Sequence, residues 1–254
     1  MTGRLTVQTN MHPFEMNPTD IDIMKALDAC QTIQDLCPQT TCDHRCECCA
    51  AGSPNMYYVE FLSIRQGVVD RLPRDKRIAL TLACLRNYLM GSGPRPCVFL
   101  DEKMCAVYPH RHIKCRLYGL IPPGLFDRIA DSVAKENKVE RDALPLSQQC
   151  LFVKLKPEYA EMYPDGKIPE GCIKELETQL RKIDRTLGMP EGIQNDGFGF
   201  LTYHDWHLLV EFGPKWMEML TQLRLKLGPA EKEQFLSVLA AQLEATEIRP
   251  PEGK

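Results

Sequence analysis

The sequence predicts a mostly α protein, in which an irregular cysteine-rich metal-binding domain is followed by a helical C-terminal region. Two observations support this fold class. Apolar residues recur at three- and four-residue spacing through most of the chain, as they do on the buried face of a helix. Seven of the 12 cysteines form two groups, and the first group lies in a stretch with little hydrophobic periodicity.

Length and composition set the domain organisation. With 254 residues, 44% of them hydrophobic, the chain can bury a sizeable core as one large domain or two small ones. The pattern predicts an N-terminal tail (1–19), a cysteine-cluster metal-binding domain (20–120), a helical C-terminal region (121–247) and a disordered tail (248–254).

The first half of the chain contains two predicted helices. One runs from about residue 20 to 36, between Asn17-Pro18-Thr19 and Pro38. Residues 56–62 are aromatic and β-branched enough for a strand, although a helix start is the alternative. The next helix is expected to be capped by Asp75 and closed by Gly91; its apolar stripe is Ile78, Leu82, Leu85 and Leu89.

The second half is predicted to be helical throughout. Leu125, Ile129 and Val133 mark one helix, and a stripe from Ile173 to Leu187 marks another that stops at Gly188. Asp196-Gly197 predicts a tight turn. Residues 206–227 form a helix interrupted at Gly213-Pro214, and Pro229 opens the last one.

The net charge and the lengths of the apolar runs exclude two classes of partner. The formal net charge of -3 and a pI near 6.1 give no basic field for nucleic acid or an anionic membrane. The N-terminus has no apolar run of signal-peptide length, and no later stretch reaches the ~18 apolar residues of a membrane span. We therefore expect a cytoplasmic protein with no nucleic-acid or membrane partner. In a reducing compartment, closely spaced cysteines bind metals more often than they form disulfides.

The two cysteine groups predict a metal centre, because thiolates are the soft ligands of zinc and of iron-sulfur clusters. The first group is Cys42, Cys46, Cys48 and Cys49, and the second is Cys97, Cys105 and Cys115. In a helical first group, Cys42, Cys46 and Cys49 share a face; in an extended one, Cys46 and Cys48 do. Either way, the adjacent cysteines at 48 and 49 have different roles. Residues 101–103 predict a turn with a cysteine on either side.

At these residues the chain resembles the YkgJ-type cysteine-cluster family, whose members are described as zinc- or iron-chelating. The family pairs a cysteine run ending in Cys-Cys with ordered later motifs. The matching residues here are Pro96, Cys97, Phe99, Leu100 and Asp101, then Cys105 and Tyr108, then Arg111, Cys115 and Arg116. The resemblance covers roughly residues 40–120. His112 stands where the family usually has proline, and the middle cysteine of the first group is displaced by one position.

The resemblance implies metal binding, with all seven cysteines as candidate ligands and with Arg111 and Arg116 beside the bound cofactor. Both cations would offset thiolate charge and donate hydrogen bonds to sulfur. The wide spacing favours an iron-sulfur cluster of the 4Fe-4S type over zinc, because structural zinc ligands usually come in short Cys-x2-4-Cys pairs. Redox or metal handling is the expected function, and a protein partner stays open. The alternatives are a protein-modifying enzyme similar to flagellin lysine methylases and a structural zinc module.

The remaining candidates are expected to have other roles. His44, His110 and His112 lie within the cysteine segments and could replace a thiolate, although loop histidines are more often surface residues. His204 and His207 are expected to pack beside Trp206. Four further cysteines are expected to be small core residues, namely Cys30, Cys84, Cys150 and Cys172. Cys37 either joins them or extends the first group.

Overall fold

The computed structural model describes residues 21–41, 49, 52–91, 96–102, 104–144, 150, 153–188 and 201–245. Within them the chain is mostly α-helical, which confirms the mostly α part of the predicted fold class. The helices are α1 (Ile21–Asp35), α2 (Tyr58–Arg71), α3 (Arg74–Met90), α4 (Ile113–Leu117), α5 (Pro123–Asn137), α6 (Glu170–Leu187), α7 (Tyr203–Phe212), α8 (Pro214–Lys226) and α9 (Pro229–Ala245). Two short antiparallel pairs accompany them: β1 (Thr40–Thr41) with β4 (Lys154–Leu155), and β2 (Leu100–Asp101) with β3 (Met104–Cys105).

The largest hydrophobic core joins helices from the two halves of the chain. Apolar side chains of α2 and α3 pack there against those of α7, α8 and α9, and Phe99 and Val107 complete it. Trp206 and Tyr203 are its largest fully buried side chains. Helices on both sides of residue 120 thus share one core, while the predicted division into two domains at that position stays a prediction.

A second core lies on the other side of α2. It contains apolar residues of α1, α4 and α6, together with Val59 of α2. Because α2 contributes to both cores, its position fixes the position of α4 relative to the helices of the larger core.

Four helix ends agree with the sequence patterns. The helix α3 ends at Gly91, whose φ of 55° is the left-handed conformation that glycine adopts at low cost. α6 ends at Gly188 as predicted. α7 and α8 are separated at Gly213, and Pro214 begins α8. Pro229 begins α9.

Two local predictions are wrong. Residues 58–62 belong to α2, so the alternative of a helix start holds and the strand does not. Asp75 lies in the first turn of α3, and Pro73 is the capping residue. The helix predicted from Leu125, Ile129 and Val133 is present as α5, which exposes Ile129 and Val133 and buries the adjacent stripe, formed by Phe126, Ala130 and Ala134. The predicted turn at 196–197 and both predicted tails lie outside the described residues.

None of the helices in the described part of the chain is long and apolar enough to cross a bilayer.

A buried carboxylate of α6 holds the start of α2. The Oδ2 and Oδ1 atoms of Asp184 accept the backbone N–H groups of Tyr58 and Val59, each at 2.8 Å. These are two of the N–H groups that have no partner inside the helix. Burial raises the pKa of Asp184 from 3.8 to about 6, although the two N–H donors oppose that rise.

The raised pKa of Asp184 predicts a pH-dependent free energy of unfolding. The stability associated with this group is fully present below about pH 3.8 and is lost as the pH rises through about 6. In that window the carboxyl group of Asp184 ionises in the unfolded chain but stays protonated in the folded one. Asp184→Asn has no such dependence. We expect the free energy of unfolding of the variant, relative to that of the wild type, to increase by up to about 3 kcal/mol as the pH rises across this window. Urea denaturation at several pH values measures the difference, and a constant difference would contradict the prediction.

Candidate metal centre

The second cysteine group begins on a hairpin that is anchored in the larger core. Residue Cys105 on β3 pairs with Leu100 on β2, and Glu102 in the turn adopts a φ of 55°. This confirms the turn predicted between the first two cysteines of the group. The ring of Phe99 is buried and meets the ring of Tyr203 edge-on, with centroids 4.4 Å apart. Cys97 and Cys105 pack partly buried against the same core.

One cysteine of the first group contacts one cysteine of the second. The backbone N–H of Cys97 donates to the carbonyl oxygen of Cys49 at 2.6 Å. This hydrogen bond places the end of the first group beside the start of the second. The other three members of the first group, Cys42, Cys46 and Cys48, lie outside the described residues.

A buried glutamate positions the third cysteine of the second group. Cys115 lies on α4, a helix whose first N–H, that of Ile113, donates to Oε1 of Glu60 at 2.6 Å. The other oxygen of Glu60 accepts the N–H of Tyr57 at 3.2 Å. Burial raises the pKa of Glu60 to about 7, and both hydrogen bonds oppose the rise. Glu60 therefore fixes α4 against α2.

The imidazole of His112 lies against the thiol of Cys115. Its Nε2 atom is 3.1 Å from the Sγ atom, and the residue is only 3% exposed. Burial, together with the nearby cations Lys114, Arg116 and Arg111, lowers its pKa to about 3. The ring is thus neutral at physiological pH, which is the form that binds metals. Its Nδ1 atom is buried and has no hydrogen-bond partner among the residues that the structure describes.

Arg116 holds the loop that leads into α4. It donates to the carbonyl oxygens of Arg111 at 2.9 Å and Pro109 at 2.5 Å, and to Oε1 of Gln34 at 3.1 Å. The guanidinium of Arg111 lies over the ring of Tyr108, 4.0 Å from its centroid. These contacts position the segment before Cys115, while the predicted hydrogen bonds from both arginines to sulfur stay a prediction.

The cysteines predicted to be core residues divide into two kinds. Cys30, Cys84 and Cys150 are buried as expected, and so is Cys37. Burial raises the pKa of the thiols of Cys30 and Cys84 well above their usual range and that of Cys37 to about 11, so these three are neutral. Cys172 is exposed, which corrects the prediction that it lies in the core. Its position at the start of the amphipathic helix α6 faces solvent.

The other histidines have partners within the fold. Thr81 contacts Nε2 of His207 at 2.9 Å, and Asn87 contacts Nε2 of His204 at 2.9 Å. His110 packs so closely on Gly67 that an added Cβ would come within 2.5 Å of its ring. His44 lies outside the described residues.

Sequence reasoning did not assign two residues that the fold places near the cysteines. Glu60 holds α4, and the ring of Tyr203 supports the hairpin. Each is remote in sequence from the residue it contacts. Only the tertiary arrangement of α2 and α7 reveals these relations.

Within the described residues, no three side chains of the His, Cys, Asp and Glu types form a group arranged to hold a metal ion. A complete set of ligands would therefore draw on the first cysteine group. The donor chemistry of the described members, partly buried thiols and a neutral imidazole among cationic side chains, suits a thiolate-bound metal.

No family model, curated protein or solved structure matches this chain. The resemblance to the YkgJ-type family stays a prediction based on the residues quoted above.

Proposed function

We propose that this chain binds a metal centre through cysteine thiolates of both groups and uses it in redox chemistry or metal handling in the cytoplasm. The observation that carries the proposal is the hydrogen bond from Cys97 to Cys49, because it joins the two groups. A single metal or cluster can be shared only by ligands brought to one place.

The contrast between two kinds of thiol supports the proposal. Cys49, Cys97, Cys105 and Cys115 are partly exposed, whereas Cys30, Cys37, Cys84 and Cys150 are buried in the cores. Loading with metal requires thiols that solvent can reach and that can lose their protons. The described cysteines of the two groups meet the first requirement. The raised pKa values of three core thiols exclude those three as candidate ligands.

Local charge also supports a thiolate centre. Arg111, Lys114 and Arg116 surround the segment that carries Cys115, and all three lower the pKa of His112. Positive charge at this position offsets the surplus negative charge of several thiolates on one metal. The favoured centre is a 4Fe-4S cluster held by cysteines drawn from both groups, and zinc is the alternative.

Anaerobic purification followed by elemental analysis and absorption spectroscopy tests the proposal. We expect iron and acid-labile sulfide in stoichiometric amounts, with broad visible absorption that bleaches on reduction. Stoichiometric zinc in a colourless protein would replace the cluster by the alternative. Protein that retains neither metal after anaerobic purification and in vitro reconstitution would overturn the proposed function.

A further inference from the structure

We propose that Cys49 and Cys97 are a redox-active pair, which forms a reversible disulfide when a small oxidant reaches the chain. The inference goes beyond the proposed function, because it needs only two thiols, and the structure describes both. Each of them is reduced and partly exposed, so a small oxidant can reach it.

The backbone contact between the two residues meets the distance criterion for a disulfide. The N–H of Cys97 donates to the carbonyl oxygen of Cys49 at 2.6 Å. A hydrogen bond of this length between two backbone segments places their Cα atoms about 5–6 Å apart. Disulfides join residues whose Cα atoms are about 4.4–6.8 Å apart, so the bond can form without a large backbone movement.

The hairpin holds Cys97 in this position. The carbonyl oxygen of Cys97 accepts the N–H of Leu100 at 3.0 Å. Phe99, two residues after the cysteine, is buried against Tyr203 of α7, and Cys97 packs against the same core. The position of Cys97 therefore depends on the fold and not on a bound metal.

The backbone at Cys49 is tied to the same core. Its carbonyl oxygen accepts a second hydrogen bond, from the N–H of Gly52 at 3.4 Å. Further along, the N–H of Met56 donates to the carbonyl oxygen of Leu201 at 3.0 Å, and Nε1 of Trp206 donates to the carbonyl oxygen of Met56 at 3.2 Å. Both cysteines thus adjoin segments that are anchored at the start of α7, which preorganises the pair.

The other described cysteines near Cys97 are less suited as its partner. Cys84 is fully buried, and burial raises the pKa of its thiol well above the usual range, so the thiol is protonated and shielded from oxidants. Cys105 lies on the opposite strand of the hairpin, where its backbone pairs with Leu100. Cys115 belongs to α4, outside the hairpin. The direct backbone contact therefore favours Cys49 as the partner.

Hydrogen peroxide is the class of oxidant that completes the reaction. The thiolate of one cysteine attacks a peroxide oxygen and becomes a sulfenic acid, and the other oxygen leaves as water. The second thiolate attacks that sulfur, so that the S–S bond forms and the hydroxyl group leaves as water. The two sulfurs lose two electrons, which reduce the peroxide, and the two thiol protons end in the water. A dithiol returns both electrons and restores the thiols.

The disulfide would link the metal content of the chain to its oxidation state. It consumes one candidate ligand of each cysteine group, and a metal needs the free thiolate. This consequence rests on the proposed function, whereas the disulfide itself does not. In reducing compartments such bonds are usually transient and serve in redox sensing or catalysis, which suits a partly exposed pair.

Disulfide mapping of the metal-free full chain tests the inference. The protein is treated with a chelator and a reductant, separated from both, and exposed to hydrogen peroxide. Remaining thiols are then alkylated, and the unreduced digest is analysed by mass spectrometry, with fragment spectra that distinguish Cys49 from Cys48. We expect at least half of Cys97 to be linked to Cys49, and dithiothreitol to remove the link. Cys49→Ser should reduce disulfide-linked Cys97 to background, and the matched control Cys172→Ser should leave the link unchanged, because Cys172 lies outside both groups.

Two outcomes would overturn the inference, namely a Cys97 that stays reduced in the oxidised wild type and a Cys97 that is linked to a different cysteine. Circular dichroism checks that each variant folds; if Cys49→Ser does not, the linkage map of the wild type decides the question. Metal analysis before chelation separates the two proposals. A disulfide in a protein that never takes up metal supports the inference and overturns the proposed function. Bound metal without the disulfide overturns the inference and leaves the proposed function standing.

Discussion

Replacing Cys115 by serine should abolish metal retention, with bound metal falling from stoichiometric to background amounts. A serine hydroxyl does not ionise at neutral pH and is a poor ligand for zinc or iron, so the variant removes a thiolate from the site without changing the backbone of α4. We expect the same result for Cys97→Ser. Metal analysis of anaerobically purified protein, combined with circular dichroism, provides the measurement.

Cys172→Ser is the matched control for this series. Cys172 is exposed at the start of α6 and lies outside both cysteine groups, so its replacement should leave the metal content unchanged. Loss of metal from this variant would show that the separation between ligand and non-ligand cysteines is wrong. Retention of metal by both Cys97→Ser and Cys115→Ser would exclude the second group as ligands.

Breaking the buried ion pair between α2 and α7 should destabilise the fold by about 3–5 kcal/mol. Arg65 contacts Glu211 through both its Nε and one terminal nitrogen, each 3.0 Å from Oε1, and the two side chains are 6% and 2% exposed. Arg65→Met leaves the carboxylate of Glu211 buried without this cation. Chemical denaturation of the variant and wild type measures the change.

The double variant and a surface pair test the reason for that effect. Arg65→Met with Glu211→Leu removes both charges and should recover most of the lost stability, because the cost comes from keeping the carboxylate buried after its cation is removed. The exposed pair Arg86–Glu233, with side chains 56% and 47% exposed, is the control, and Arg86→Ala should cost no more than about 1 kcal/mol. A double variant no more stable than the single one would refute this explanation.

Helix boundaries were predictable where the residue at the boundary itself interrupts the helix. Glycine in the left-handed conformation and proline without an N–H act through one or two residues, so the boundaries at Gly91 and Gly213-Pro214 are visible in the sequence. The start of α2 was not, because its N–H groups are satisfied by Asp184, more than a hundred residues away. Aromatic and β-branched residues at 56–62 favour a strand locally, and this distant carboxylate overrides that preference.

The buried face of α5 shows a second limit. Leu125, Ile129 and Val133 form the more apolar stripe, yet the helix packs through Phe126 and two alanines. Small side chains allow close approach to a neighbouring segment and contribute little to a hydrophobicity pattern. The same limit applies to the candidate metal centre, where the spacing of residues gave no sign that His112 lies against Cys115 while His110 packs on Gly67.

The hydrogen bond between Cys97 and Cys49 closes a loop that contains all of α2 and α3. A metal bound across this contact would act as a chemical cross-link at the base of the loop, comparable to a disulfide. By the entropy of loop closure, a cross-link around a segment of this length disfavours the unfolded chain by about 4 kcal/mol. The two helices at the centre of the fold would then gain much of their thermal resistance from the metal, and a chelator would lower the melting temperature of the whole chain.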